Sequence, residues 1–418
     1  MTPLRFCMVS TFYPPYSYGG DGITVQRLSR ALVEAGHEVT VVHDADAYAA
    51  LGHPAPHGEP VGDGVNVITL TSGSPRLSAL LTHQLGRPVV HAHTIQHVLD
   101  SGHFDVVHFH NVSLVGGPGV LSYPPSSAAT LYTAHEHWLV CPMHVLWRYD
   151  REPCDRRECV RCTLSYGRPP QLWRDSDFYR QQLDHVDTFI ALSEFSRAKH
   201  HEFGFPRPME VLPPLIDDAP VVDRSADGAP PHPRSYFLCV ARLERIKGLH
   251  TVIPLFGPDA PADLVIAGAG SQADELRALA AGSPRIHFVG RLTLDQLRRY
   301  YRHAIAHIAA SICFETFGNT VVEAFQQATP VVARRIGPFP ELVEQSGGGM
   351  MYSTDGELRA ALVALASDVS RRDRLGAQGR RAYEATWSPA AIVPRYLELV
   401  ERTRAKGGES AAVAAVAP

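Results

Sequence analysis

Tyr236-Phe-Leu-Cys-Val240-Ala-Arg242-Leu-Glu-Arg-Ile-Lys247-Gly joins a short apolar run directly to two cations. A five-residue run rich in aromatic and β-branched side chains is strand length, too short for a helix of ordinary size. Outward from it the pattern repeats. Downstream, strand-like runs stand at 264–267, 286–289, 306–310 and 331–333; upstream they stand at 6–10, 38–43, 65–70, 105–110, 130–134 and 188–192. Between the first two, residues 24–35 read as a helix with Leu28, Leu32 and Ala35 on one face. Short strands alternating with helical segments predict an α/β protein made of doubly wound domains. The polar, proline-rich stretch from Asp217 to Pro233 interrupts the alternation and reads as a linker at 217–234. The expected organisation is therefore a first domain at 1–216, carrying a cysteine-rich insertion at 141–174, and a second at 235–388.

The composition is that of a globular chain: 418 residues, 45% hydrophobic and 20% charged. A net charge of -4 gives no electrostatic case for nucleic acid. No apolar run approaches the ~20 residues of a membrane-spanning helix, and Met1-Thr-Pro-Leu-Arg leads straight into a strand without a secretory pattern. Cytoplasmic placement is the expectation. The alanine, arginine and glycine bias points to a GC-rich bacterial genome.

Chemistry concentrates after the strands. Lys247 is one of three lysines, with Lys199 and Lys406, in a chain whose cations are otherwise arginines. A cation required merely for charge would have been arginine here. Arg242 and Lys247 follow a strand, where the carboxyl ends of an open sheet receive phosphates. Further on, Phe314-Glu-Thr-Phe-Gly-Asn-Thr-Val-Val-Glu-Ala spaces Glu315 and Glu323 as E-x7-E. Gly318 and Asn319 interrupt a helix start, so Glu315 reads as the last residue of a loop and Glu323 as a member of the following helix. Carboxylates accept charge-assisted hydrogen bonds from sugar hydroxyls, and two of them can hold two rings of one nucleotide sugar. Solvated glutamates on an ordinary helix are the plain alternative.

Taken in order, Gly19-Gly20, Gly36-His-Glu-Val, Arg242 with Lys247, Gly268-Ala-Gly270, the E-x7-E block and Gly337-Pro-Phe-Pro-Glu341 resemble the retaining glycosyltransferases of family four, the glycosyl transferases group 1. The resemblance implies the GT-B fold: two Rossmann-like domains facing across a cleft, with residues 389–405 returning as a helix to the first domain and a glycine- and alanine-rich tail, 406–418, left disordered. It implies transfer of a hexosyl group from a nucleoside-diphosphate sugar to a hydroxyl acceptor, with UDP-sugars favoured over GDP-sugars. Arg242 and Lys247 would neutralise the leaving diphosphate. Glu323 would hold the ribose, Glu315 the transferred sugar, and Phe317, Gly318 and Asn319 would offer it backbone amides. Gly19, Gly20 and Gly268 would let backbone approach the donor or acceptor, unless they are plain turn glycines. His135 matches the first-domain histidine beside the donor sugar, while Glu136 stands where aspartate is common in the family. No catalytic metal is implied. Lipid-linked acceptors in this family leave room for peripheral contact with the inner face of a membrane. A nucleotide-sugar epimerase or hydrolase of the same fold, and a non-catalytic nucleotide-sugar-binding partner, are the rival readings.

Cys141, Cys154, Cys159 and Cys162 cluster within the insertion, the last two as C-x2-C. Four thiols at this density fit structural zinc, with His137 and His144 as substitute ligands; reduced packing cysteines or a redox pair fit as well. Cys7, Cys239 and Cys313 read as buried strand cysteines. The insertion, rich in arginine and tryptophan, reads either as a lid or acceptor platform or as a solvated surface segment. Ile312, Cys313 and Phe339 are candidates for shaping the pocket.

Overall fold

A computed structural model of the chain describes residues 2–17, 19–52, 63–219 and 228–416, with side chains to residue 406. Residues 220–227 of the expected linker lie outside the described residues, as do the side chains after residue 406; the backbone of the tail expected to be disordered continues as helix to Val416. The chain divides into two compact units, the first comprising Met1–Asp150, Cys154–Leu215 and Ile392–Pro418, the second Arg151–Pro153 and Ile216–Ala391.

In the first unit, β1 (Arg5–Ser10), β2 (Glu38–Asp44), β3 (Asn66–Leu70), β4 (Val106–Phe109), β5 (Ala129–Ala134), β6 (Thr188–Ala191) and β7 (Met209–Val211) form one sheet in the order β3-β2-β1-β4-β5-β6-β7. Each recorded pairing is parallel. Parallel strands are covered on both faces, and accordingly β4 and β5 are buried at every position. Helix α1 (Gly20–Glu34) begins four residues before the expected 24–35. Thr24 does not start it, because its hydroxyl donates back to the Gly20 carbonyl at 2.8 Å, the bond of a threonine already inside a helix. The apolar face is formed by Val25, Leu28 and Leu32, whereas Ala35 is an exposed C-cap residue and not part of that face. The insertion contributes a short helix, α2 (Cys159–Ser165).

The second unit repeats the plan with β8 (Tyr236–Val240), β9 (Asp263–Ala267), β10 (Ile286–Gly290), β11 (His307–Ala309), β12 (Val331–Arg334) and β13 (Gly349–Tyr352), ordered β10-β9-β8-β11-β12-β13 and parallel throughout. Its core gathers Phe237, Leu264, Ile266, Ile308, Val332 and Leu362. The helices that matter for the site are α3 (Asn319–Gln326) and α4 (Phe339–Ser346); the last helix, α5 (Pro389–Val416), inserts Ile392, Tyr396, Leu397 and Val400 into the core of the first unit beside Phe6 and Met8. Cys7 and Cys239 are buried strand residues as expected. Cys313 is buried but lies in the loop after β11, so it is not a strand cysteine.

Both orders reverse direction between the first and fourth strands of their sheet. At such a switch point the connections leave the carboxyl ends in opposite directions and open a crevice where ligands bind. The loop following β1 in the first unit carries Gly19, and those following β8 and β11 in the second carry Arg242, Lys247, Glu315, Phe317 and Gly318.

Candidate active site

The second unit's crevice is built by three loops held edge to edge. The Leu243 amide donates to the Ala269 carbonyl at 2.9 Å, and the Ile312 amide to the Ile246 carbonyl at 2.9 Å. Approach this close requires glycine. Gly248 has φ +71°, and a Cβ there would stand 2.1 Å from the Ala310 oxygen; at Gly268, with φ +140°, a Cβ would stand 1.9 Å from the Ala241 oxygen. These glycines are needed for the seam between loops, whatever they also permit a nucleotide to do.

Across that seam Lys247 and Glu315, far apart in the chain, form an ion pair with Nζ 2.6 Å from Oε1. Ser311 donates its hydroxyl to the same Oε1 at 2.6 Å. Burial alone would push the Lys247 ammonium down, but the Glu315 charge and hydrogen bond outweigh it and the group ends above its ordinary value. Burial would likewise push Glu315 up, and Lys247, Ser311 and Arg242 together bring it below the usual carboxylate range. Both groups are therefore charged near neutrality. Oε2 of Glu315 has no protein partner among the described residues, which leaves a charged acceptor for a hydroxyl group.

Arg242 is more open. Its guanidinium lies 2.9 Å from Glu244, with the two side chains 39% and 32% exposed, an arrangement worth at most about 1 kcal/mol. Glu315 lies in the loop and Glu323 in α3, as the interrupted helix start implies, except that the loop continues through Gly318. Tyr301 donates to Glu323 at 3.4 Å. Gly318 has an extended φ, and its reason is steric: a Cβ would meet Leu342 at 2.8 Å and Phe339 at 3.1 Å, both on α4. Phe339 thus packs onto the turn that opens α3. The Val321 amide donates back to the Gly318 carbonyl at 2.9 Å, and the amides that open α3 stand at the positive end of the helix dipole. The buried Asn319 Oδ1 has no hydrogen-bond partner among the described residues.

In the first unit, Gly19 is the N-cap of α1 and Gly20 its first helical residue. Asp21, in the first turn, accepts from Asn111 at 3.0 Å. His135 follows β5, and its Nε2 lies 2.9 Å from Nδ1 of His110. His108, two positions earlier on β4, lies tilted against the His110 ring with centroids 4.1 Å apart and bonds Tyr396 at 2.9 Å and Thr133 at 2.8 Å. Sequence reasoning passed over His108, His110 and Tyr396. The usable signal was period two, which turns 108 and 110 to one face of the sheet; the Tyr396 contact had no local signal.

Burial lowers His108 to about 3, His110 well below its ordinary value and His135 to about 4, the Asp21 charge opposing the last shift. The unfolded chain takes up protons near 6.5 while the folded imidazoles stay neutral. Stability is therefore fully present above that pH and falls as pH drops from 6.5 toward 4, by at most about 1.4 kcal/mol per pH unit for each histidine. Urea midpoints at pH 7.5, 6.5 and 5.5 should show this decline, shallower in His110→Gln; an unchanged slope in that variant would contradict the assignment.

Two groups among the described residues gather three ligand atoms within 4.8 Å: His232, Asp263 and His287, and Asp44, Asp46 and His91. The first holds Arg234 and Arg285 on the same carboxylate, which already neutralise it. In the second, Asp44 accepts from the Ala47 amide and Asp46 from His91 and the Ser72 amide, the work of a helix cap and a loop anchor. His144 is bonded through Nδ1 to Glu136 at 2.5 Å, and the His137 ring lies 5.1 Å from that of His200. The Glu136 carboxylate thus has a partner within the first unit.

Two doubly wound parallel units, the second with a cation–carboxylate pair at its switch point, define a Rossmann-like protein of the GT-B class. Residues 18–219 match the family described as Glycosyltransferase Family 4, and residues 234–368 match Glycosyl transferases group 1. The chain belongs to this family and is a glycosyltransferase. It is 27% identical to a glycogen synthase of Mycobacterium tuberculosis over 97% of this chain and 96% of that one. In fold it resembles a sucrose-phosphate synthase from Thermosynechococcus elongatus, with a TM-score of 0.74 at 20% identity over 96% of this chain and all of that one. Anabaena Alr3699/HepE, solved in complex with UDP-glucose, superposes with a TM-score of 0.62 at 16% identity, covering 96% and 100% of the two chains. Among the described residues no helix is long and apolar enough to cross a membrane.

Proposed function

We propose that the chain is a retaining hexosyltransferase that moves a sugar from a nucleoside diphosphate, uridine in preference to guanosine, to a hydroxyl of a polysaccharide, glycolipid or secondary metabolite in the cytoplasm. The observation that carries the reading is the Lys247–Glu315–Ser311 cluster, in which a charged ammonium and a charged carboxylate are fixed at the carboxyl ends of the strands. The UDP-glucose in the Anabaena structure supports the donor class.

Each group then has a role matched to its chemistry. Lys247 and Arg242 stabilise the diphosphate as it gains charge, a task suited to preorganised cations. Glu315, through its unpartnered oxygen, accepts from hydroxyls of the transferred sugar, and Phe317, Gly318 and Asn319 supply amides from the helix end. Glu323 holds the ribose. His135 remains the first-unit histidine assigned to the donor sugar, neutral and therefore a hydrogen-bonding group, not a charge. In front-face displacement the bond from the anomeric carbon to the phosphate oxygen breaks as the acceptor oxygen bonds to the same face. The acceptor proton goes to the departing phosphate, so no protein base is assigned.

Thermal stabilisation by nucleoside diphosphates and nucleotide sugars tests the donor site. A ligand present at about 100 times its Kd adds about 2.7 kcal/mol. The wild type should rise in Tm with a uridine nucleotide, and Glu323→Ala should lose that response. No response to any nucleotide would reject the site. Product analysis then separates a new glycoside from an isomerised or hydrolysed donor and from binding without turnover.

A further inference from the structure

The four insertion cysteines were separated in sequence as Cys141-x12-Cys154-x4-Cys159-x2-Cys162. In the fold they line one small cavity of about 20 Å³, together with Arg148, Arg156 and Arg157. None forms a disulfide. Three features distinguish this cluster from cysteines that are merely packed.

The first is a set of amides aimed at sulfur. The amides of Met143 and Leu146 donate to Cys141, and the Tyr149 amide approaches the Cys162 sulfur at 3.4 Å. N–H groups directed at sulfur stabilise thiolate, the metal-binding form, and offer little to a neutral thiol or a disulfide. The second is backbone geometry. His144, Leu146, Tyr149 and Asp150 all have positive φ, between 47° and 71°. Such conformations persist where the surroundings impose them, and here they fold the 141–150 segment tightly enough to present those amides.

The third feature is charge. Zinc held by four thiolates carries two net negative charges, which a half-buried site must offset. Arg148, 9% exposed and ion-paired with Asp155 at 2.5 Å, lines the cavity. Arg174, stacked on Trp138 and Trp173, interacts electrostatically with Cys141 and Cys159 and has a buried Nη2 with no partner among the described residues. The Arg174 guanidinium also donates to the Trp138 carbonyl at 2.7 Å and to Gln171. The sulfurs line the cavity without converging, because no three of them come within 4.8 Å of one another among the described residues. Binding would draw them inward and fix the insertion that follows His135 and β5.

We infer that Cys141, Cys154, Cys159 and Cys162 form a structural zinc site that holds the 141–174 insertion in place. On binding, zinc displaces the four thiol protons, and no electron transfer is involved.

The test uses the full-length protein purified from zinc-supplemented cells. Elemental analysis should give about one zinc ion per chain. A mercurial reagent should release that zinc into a colorimetric chelator, and Cys154, Cys159 and Cys162 should resist a thiol reagent until then. Cys159→Ser/Cys162→Ser should lose the metal, whereas Cys7→Ser should keep it. Should the double variant fail to fold, metal content and thiol protection of the wild type decide alone. Zinc well below stoichiometry with freely reacting thiols, a two-hydrogen mass deficit from a disulfide, or iron with visible charge-transfer absorption would each overturn the inference. None of these outcomes touches the donor-site reading, which the nucleotide panel tests separately.

Discussion

Lys247→Ala is expected to lower kcat by about 100- to 1000-fold, the range found when one preorganised group that stabilises transition-state charge is removed. The same substitution should destabilise the protein. Removing one member of a fully buried pair costs about 3–5 kcal/mol, but Lys247 and Glu315 retain 17% and 24% side-chain exposure and Ser311 still serves the carboxylate. Discounted for that solvation, about 1–3 kcal/mol is expected. Lys247→Ala/Glu315→Gln separates the two effects. With the orphaned charge gone, stability should return in part, while turnover should stay low because the diphosphate still lacks its cation. Urea unfolding and initial rates on both variants provide the comparison; recovery of turnover in the double variant would make the pair structural only.

The pair also sets a pH window. Glu315 is depressed below its ordinary 4.5, so its contribution is complete above that pH and is lost as pH falls through the folded value. Lys247 is raised above its ordinary 10.5, so its contribution is complete below that pH and is lost as pH rises through the folded value. Between those limits the pair is at full strength, and the decline expected below pH 6.5 belongs to the histidines of the first unit.

Gly268→Ala should be the most destabilising single methyl addition considered. The backbone at φ +140° disfavours any side chain, and the new Cβ would lie 1.9 Å from the Ala241 oxygen, so the seam between the loops after β8 and β9 must open. A loss of about 3 kcal/mol or more is expected, conformational strain and displaced backbone acting together. Gly282→Ala is the control. It shares the positive φ, at +87°, and lies in the same unit, but its Cβ would meet nothing within 4 Å, so about 1 kcal/mol is expected. Denaturant unfolding of the second unit measures the difference, and equal losses at the two glycines would remove the close approach as the explanation.

The two glycines illustrate what was legible beforehand. Gly268 was noticed because it follows a strand in a recognisable order, and its position was sound; the reason for glycine there came from an oxygen 27 residues away in the chain, belonging to Ala241. Strands were readable wherever an apolar run of four or more residues would be buried on both faces. Two strands of the main sheets were unanticipated, Met209–Val211 and Gly349–Tyr352, three- and four-residue edge strands whose composition carries little period. The start of α1 was misplaced because Gly20 and Gly22 are poor helix formers, while the chain's entry from β1 and the packing of Val25, Leu28 and Leu32 override that preference.

The sequence by itself determined the alternation of strands and helices and the fact that Arg242, Lys247, Glu315 and Glu323 follow strands, because each depends on residues within a few positions of one another, and it determined the family through the order of short local motifs along the chain. Only the tertiary structure decided that Lys247 pairs with Glu315, that Tyr396 closes on His108, that Cys313 sits in a loop, and that four cysteines line one cavity with Arg148. These depend on segments that only the folded chain brings together. No local propensity encodes them, since their energy appears only when the intervening chain has folded and removed the water between them.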